Sequence, residues 1–189
     1  MPLTHQGRSS YQVGDTRRPT VGVIHEAVPP KTRLIFFSPN GGHCCARAQN
    51  AAGLLVASLL NESAVAAAAR DLPHSLGRPV TVVACGCERW AGSDTLRPCL
   101  EDELAAGAII SAMGVDASPE AHAAARTFEG LRGAIGEALW ECGSGRELRE
   151  RGFGADVRFV AAVDQVAVVP VRGRDGWIAS HDVVAEAPA

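Results

Sequence analysis

The sequence predicts an α/β fold in which a mostly parallel sheet is flanked by helices in an α/β/α layered arrangement. The chain has 189 residues, of which 47% are apolar, enough to bury one sizeable core but not two. From residue 33 onward, short apolar runs bounded by turn residues alternate with alanine-rich segments, a pattern typical of βαβ units. We expect an irregular N-terminal segment over 1–32, an α/β domain over 33–172 and a loosely held tail over 173–189.

Composition excludes several classes of partner. The formal net charge is −3 and no cluster of Lys or Arg stands out, so we expect no nucleic-acid partner. No apolar run approaches the ~20 residues needed to cross a bilayer, and no apolar stretch of the kind found in signal peptides follows the early arginines. Six cysteines without an export signal predict reduced, mostly core-filling thiols, and the predicted location is the cytoplasm.

The predicted strands are short apolar runs that end in turn residues. They cover 34–37, 54–60, 80–85 and 167–171.

The predicted helices begin and end at residues with capping chemistry. They cover 43–52, 62–70, 98–113, 119–141 and 156–164. Asn61 and Ser118 are natural N-caps, and Gly114 can adopt the left-handed conformation that closes a helix. Ser144 with Glu147 three residues later predicts a capping box for a further short helix.

The turn Asn40-Gly41-Gly42 follows the first predicted strand and precedes a helix. Glycines let the backbone approach an anion closely, and free N–H groups at a helix start point toward it, which suits a phosphate. The same residues also suit an ordinary tight turn, because Asn-Gly is a common turn dipeptide. This motif is therefore a weak signal by itself.

Acidic residues open the predicted helix over 98–113. Glu101, Asp102 and Glu103 can simply complement the helix dipole. Because neighbouring helical residues point ~100° apart, we expect Glu101 and Asp102 not to hold one ion as a pair. One of them can still bind Mg²⁺, which prefers oxygen ligands and needs few from the protein.

The loop after the third predicted strand carries Glu88, Arg89, Ser93 and Arg97. The carboxyl ends of parallel strands open on the ligand crevice, so this loop and the Asn-Gly-Gly turn should emerge at the same edge. Arg89 or Arg97 can pair bidentately with a phosphate or sulfonate, or either can be a solvated surface arginine. Their predicted convergence is a stronger argument than either motif alone.

Taken in order, these features resemble the 2-phosphosulfolactate phosphatase family over roughly residues 34–172. The resemblance lies in an ordered set of short motifs: Ser38-Pro-Asn-Gly-Gly42, Asn61, Ala84-Cys-Gly86, Glu88-Arg-Trp90, Gly92-Ser93, Arg97-Pro98, Glu101-Asp102, Ala106-Gly107, Ser144-Gly-Arg146, Gly152-Phe153, Asp156 and Val169-Pro170-Val171.

The resemblance implies a Mg²⁺-dependent hydrolase of a phosphate monoester on a small sulfonated acid. Its substrate would be 2-phosphosulfolactate, which yields 3-sulfolactate and phosphate in a step associated with coenzyme M biosynthesis. On this hypothesis a metal-bound water is the nucleophile, and three groups of residues bind the metal, assist catalysis and bind the substrate. They are Glu101 and Asp102 for the metal, Glu88 and Arg97 for catalysis, and Asn40, Gly41, Gly42, Arg89 and Ser93 for the substrate.

The sequence departs from the family pattern in two places. Members normally carry a long N-terminal part with an Asp-Val-Leu-Arg-like motif that this chain lacks, and relatives often have Ser or Thr where Gly42 stands. Two alternatives therefore stay open: a truncated, non-catalytic member that keeps only scaffold or anion binding, and a thiol-based redox protein with an exposed low-pKa cysteine. An uncovered sheet edge or face in such a chain would favour a homodimer.

Overall fold

A computed structural model describes residues 33, 35, 40–86 and 97–180 of the chain. By its internal contacts the chain divides into two units, Met1–Ser38 and Pro39–Ala189, and the description below concerns the second. Most of the predicted first strand, over 34–37, and the whole predicted N-terminal segment lie outside the described residues.

The described part of the chain is mostly helical. Its α-helices are α1 (Gly41–Arg47), α2 (Glu62–Leu76), α3 (Leu100–Met113), α4 (Pro119–Leu131), α5 (Ile135–Glu141), α6 (Gly143–Glu150) and α7 (Gly154–Val160). Short 3₁₀ turns cover Ala48–Asn50, Leu59–Asn61 and Arg132–Ala134. Among these described residues, no helix is long and apolar enough to cross a membrane.

Two predicted helix boundaries hold and two others do not: α3 begins at Leu100 and not at Pro98, and Asn61 precedes α2 without a side-chain capping bond. Helix α4 begins at Pro119, and the Ser118 side chain accepts a hydrogen bond from the Ala121 backbone N–H, which confirms the predicted cap. Helix α3 ends at Met113, and Gly114 has the predicted left-handed conformation with φ of 59°. The predicted continuous helix over 119–141 is instead interrupted by the 3₁₀ turn that contains Gly133, since glycine weakens a helix interior.

The sheet differs from the prediction. Strand β1 (Pro170–Arg172) pairs antiparallel with β2 (Ile178–Ser180), and Leu55 forms an isolated antiparallel bridge to Val171. The predicted mostly parallel sheet is not seen among the described residues, because residues 80–85 form no ladder there and the backbone groups around Leu55 bond to β1 instead. The predicted boundary at Arg172 falls inside this hairpin, whose second strand lies in the segment predicted to be a loose tail.

Helix α3 is central to the packing of this unit. Its residues Leu104 and Ala108 are fully buried and pack in one cluster with Phe128 of α4 and Leu139 of α5. A second cluster joins Ile109 and Met113 of α3 to alanines of α2. Burial on both sides fixes the axis of α3, and with it the position of the acidic residues in its first turn.

Gly107 lets α3 and α4 approach closely. A β-carbon at this position would lie 2.2 Å from the Ala124 carbonyl oxygen and 3.0 Å from the Phe128 β-carbon. The side chain of any other residue would therefore collide with the backbone of α4.

At the carboxyl end of α3, the Arg70 guanidinium donates to the carbonyl oxygens of Ala112 and Met113, both at 2.8 Å.

Candidate metal and anion site

The first turn of α3 brings two carboxylates together. One oxygen of Glu101, one oxygen of Asp102 and the sulfur of Cys99 lie within 4.8 Å of one another, and within the described part of the chain this is a group of three close enough to hold a metal ion. Both acids are half-buried, whereas the next residue, Glu103, is exposed. The spacing is thus short enough for one ion to reach both acids, while the expectation that the two do not hold one ion as a pair stays a prediction.

Asp102 is in an environment that disfavours its charge. Its pKa is raised from 3.8 to about 6, chiefly by burial and then by the negative charge of Glu101, while a hydrogen bond from the Gly86 backbone N–H partly offsets both effects. A half-buried carboxylate beside another carboxylate is favoured in its protonated form. A divalent cation held by the two acids would favour their ionised form, so these residues fit a magnesium ion.

Cys99 does not add a thiolate to this group. It is disulfide-bonded, whereas Cys44, Cys45, Cys85 and Cys142 are free thiols. The prediction that the cysteines are reduced is therefore wrong at Cys99. A disulfide sulfur is a poor ligand for a hard cation, so the donors here that would suit Mg²⁺ are the carboxylate oxygens.

Helix α6 contacts the start of α3 through two side chains. The Ser144 hydroxyl donates to Glu101 Oε2 at 2.6 Å. One turn later, Glu147 accepts from both terminal nitrogens of Arg97, at 2.5 and 3.1 Å. The pairing raises the pKa of Arg97 and lowers that of Glu147, so both groups stay charged.

The predicted capping box at the start of α6 is wrong, because both of its side chains bond to residues outside that helix. Helix α6 is capped by Cys142, whose sulfur accepts from the Gly145 backbone N–H at 3.3 Å. Ser144 bonds to Glu101 of α3, and Glu147 bonds to Arg97 in the segment before α3, so neither caps its own helix. Both were missed as site residues, although the Ser144-Gly-Arg146 motif of the resemblance was a signal that could have found Ser144.

An open cavity of about 480 Å³ lies beside this junction. Its lining combines the segment before α3 with the first two turns of α6: Arg97, Pro98, Cys99, Leu100, Cys142, Gly143, Ser144, Arg146, Glu147 and Glu150. Its volume is in the range of small-molecule sites. The cavity thus places space for a small ligand next to the residues that support Glu101.

Helix α1 is also linked to the acidic pair. The Cys44 side chain is hydrogen-bonded to Cys85, and the charge of Asp102 acts on the Cys85 thiol. Burial, followed by the contact with Cys44, raises the pKa of Cys85 to about 12, which does not support a reactive redox thiol at this position. Helix α1 and the end of the third predicted strand are therefore in contact, whereas the predicted convergence of the loop after that strand with the Asn40-Gly41-Gly42 turn stays a prediction.

The predicted site residues fall into three groups. Glu101, Asp102 and Arg97 meet at the start of α3, as described above. The turn that includes Asn40, Gly41 and Gly42 begins α1, and Asn40 makes no side-chain capping hydrogen bond there. Glu88, Arg89 and Ser93 lie outside the described residues, so their predicted roles stay predictions.

Glu101 and Asp102 do not line the cavity, but Ser144, which lines it, is hydrogen-bonded to Glu101. Residues 23–174 match the sequence profile of the 2-phosphosulpholactate phosphatase family. A curated relative, the probable 2-phosphosulfolactate phosphatase of Gloeobacter violaceus (strain ATCC 29082 / PCC 7421), is 32% identical over 138 residues, which are 73% of this chain and 54% of the relative. The chain belongs to the 2-phosphosulpholactate phosphatase family.

The family assignment confirms the resemblance found in the sequence. The chain spans about half the length of the curated relative it matches.

Proposed function

We propose that this protein is a Mg²⁺-dependent phosphatase that hydrolyses 2-phosphosulfolactate to 3-sulfolactate and phosphate. The observation that carries the proposal is the pairing of Glu101 and Asp102 at the buried start of α3, with the pKa of Asp102 raised to about 6. The family of the chain supplies the substrate class. In the overall reaction water adds to phosphorus, the P–O bond to the hydroxy acid breaks, and the hydroxyl of the product takes up a proton.

Glu101 and Asp102 are the residues that would hold magnesium. The bound ion would neutralise charge on the phosphoryl oxygens, which is the main requirement of phosphoryl transfer. Asp102 is oriented by the Gly86 backbone N–H, and Glu101 is oriented by the Ser144 hydroxyl. Both carboxylates are thus held in place before substrate binds, so little reorganisation is needed.

Arg97 is the cation that we assign to the phosphoryl group. Its guanidinium is only 18% exposed and is fixed by Glu147, so it occupies one orientation at the edge of the cavity. Glu147 already accepts from both terminal nitrogens, so Arg97 would reach a phosphoryl oxygen by sharing these donors with Glu147, and it would then orient the substrate relative to the metal. The backbone of Asn40, Gly41 and Gly42 remains our proposal for a second phosphate contact.

Phosphate release tests the proposal directly. The purified 189-residue chain is assayed with 2-phosphosulfolactate and with a generic aryl phosphate, in Mg²⁺ and in EDTA. Asp102→Asn and Glu101→Gln remove a ligand charge while keeping side-chain size, and Glu103→Gln removes an exposed acid from the same helical turn as a matched control. We expect Mg²⁺-dependent turnover that both ligand variants lose and the control retains.

The alternative of a non-catalytic family member makes a different prediction. A folded chain that neither binds Mg²⁺ nor releases phosphate from either substrate would support that alternative. Turnover that persists in EDTA, or that survives in Asp102→Asn, would contradict the assignment of these carboxylates to a metal.

A further inference from the structure

The contact between Ser144 and Glu101 joins two helices at the candidate metal site. The two residues are 43 positions apart, and the oxygen-to-oxygen distance of 2.6 Å is that of a strong hydrogen bond from a hydroxyl to a carboxylate. The Ser144 oxygen also lies 3.3 Å from the Cys142 sulfur. The hydroxyl therefore lies between the cap of its own helix and a predicted metal ligand.

Ser144 occupies a tightly packed part of the chain. A β-carbon at Gly145 would lie 1.9 Å from the Leu139 carbonyl oxygen, so the turn that carries Ser144 packs directly on the end of α5. The bond from the Gly145 N–H to the Cys142 sulfur fixes the same turn. The backbone that follows Ser144 is therefore held in place, which limits how far its hydroxyl can move from Glu101.

A second contact keeps α6 against the start of α3. Ser144 and Glu147 are three residues apart and therefore lie on one face of α6. Glu147 binds Arg97, which precedes Glu101 by four residues. With two attachment points, α6 cannot rotate away at Ser144 while it stays bound at Glu147.

We propose that Ser144 is a positioning residue that holds the Glu101 carboxylate beside Asp102 and thereby sets the affinity of the site for a divalent cation. The inference rests on the proposed metal site. A carboxylate that is hydrogen-bonded in the orientation needed for the ion loses less side-chain entropy when the ion binds. Partners of metal ligands typically change metal affinity by about 10–100-fold, which is the effect we expect for Ser144.

The test measures metal binding without turnover. Binding of Mn²⁺, a spectroscopic substitute for Mg²⁺, is followed by the loss of its free-ion paramagnetic resonance signal, and Mg²⁺ binding is measured by calorimetry. Ser144→Ala removes the hydroxyl, and Ser144→Thr restores one. Ser111→Ala is the matched control, since it removes a 2.9 Å hydrogen bond from another serine of this structure to Glu129 on α4.

We expect Ser144→Ala to bind Mn²⁺ about 10–100-fold more weakly, and Ser144→Thr and Ser111→Ala to bind like the parent. Unfolding in EDTA is recorded for every variant, so that a general loss of structure is separated from a loss of affinity. Equal affinity in folded Ser144→Ala and parent would overturn the positioning role while leaving the metal site intact. A parent chain that binds neither ion would overturn the metal site, and this inference with it.

Discussion

The guanidinium of Arg97 and the carboxylate of Glu147 form a two-point pair across 50 positions of sequence. The pair connects the segment that leads into α3 with the middle of α6. Arg97 is mostly buried and Glu147 is 45% exposed, so solvent screens the interaction from one side. The pair therefore orients Arg97 more than it stabilises the fold.

Replacing Glu147 tests this distinction. We expect Glu147→Gln to lower the free energy of unfolding by less than about 1 kcal/mol, since half-exposed ion pairs contribute little. Phosphate release should fall by about 10–100-fold because the Arg97 side chain loses its orientation. Urea unfolding and initial rates measure the two effects, and Arg126→Gln, which breaks an exposed ion pair to Glu129, is the control that should leave both nearly unchanged.

Asp102 should make the metal-free protein less stable at neutral pH. Its pKa is raised to about 6 in the folded chain, so the folded state binds the proton more tightly than the unfolded state. The contribution of this group is most favourable below pH 3.8 and is lost as the pH rises through about 6. Asp102→Asn keeps an acceptor for the Gly86 N–H and removes this loss.

We therefore expect Asp102→Asn to unfold at a higher temperature than the parent at pH 8 in EDTA, by about 2–4 °C for each kcal/mol gained. The difference should shrink as the pH falls below 6, and added Mg²⁺ should stabilise only the parent. Thermal unfolding followed by circular dichroism between pH 5 and 8 measures it. An Asp102→Asn variant that is less stable than the parent at pH 8 would contradict the burial argument.

The affinity for magnesium should rise with pH, whereas the stability of the metal-free protein should fall. The ion requires the ionised carboxylate, so protons compete with it once the pH falls below the pKa of Asp102, which is about 6. We expect the affinity to be nearly constant from pH 7 to 8 and to fall by about tenfold for each unit well below 6. Calorimetric titrations with Mg²⁺ at several pH values test this, and a flat profile from pH 7 to 5 would rule out Asp102 as a ligand.

The Cys85 thiol should resist alkylation. Because its pKa is raised to about 12, only about one molecule in 10,000 carries the reactive thiolate at pH 8. We expect iodoacetamide to leave the Cys85 peptide unlabelled in native protein and to label it after denaturation, as read by peptide mass spectrometry. Rapid labelling of Cys85 in the native protein would support the alternative of a thiol-based redox protein.

Two helical glycines form a matched pair for testing the α3–α4 contact. Gly107→Ala places a β-carbon 2.2 Å from the Ala124 carbonyl oxygen, and we expect a loss of about 1–3 kcal/mol. Gly130→Ala meets no atom within 4 Å, and we expect a gain of up to about 1 kcal/mol from helix propensity alone. Urea unfolding compares the two, and similar effects of the same sign would contradict the close approach.

Helix ends at Gly114 and Ser118 could be predicted from the sequence, whereas the partners of the predicted strands could not. Gly114 and the Ser118-Pro119 pair ended and began helices as predicted, because a cap depends on residues within one turn. The apolar run over 54–60 predicts a strand of a parallel sheet, yet Leu55 forms an isolated antiparallel bridge to Val171 and residues Leu59–Asn61 form a 3₁₀ turn. An apolar run reports burial, whereas its partner is decided by distant parts of the chain.

The candidate site shows the same division. Glu101 and Asp102 were identified from residue type and position, but their closeness required the rotamers that packing selects. Ser144 and Glu147 match a local capping pattern, yet Ser144 bonds to Glu101 of α3 and Glu147 bonds to Arg97 before it. A distant carboxylate and a distant guanidinium are stronger partners than a backbone N–H. Sequence spacing alone does not reveal such a competition.

A small rotation of α3 about its contact with α4 at Gly107 displaces the residues at the start of the helix. Glu101 lies six residues from Gly107, which is about 9 Å along a helix axis, so a 5° rotation about the crossing point would shift it by about 0.8 Å. Such a shift exceeds the ~0.5 Å within which a binding constellation must be held. A single added methyl group at this buried crossing, far from any ligand, can therefore misalign the carboxylates without touching them.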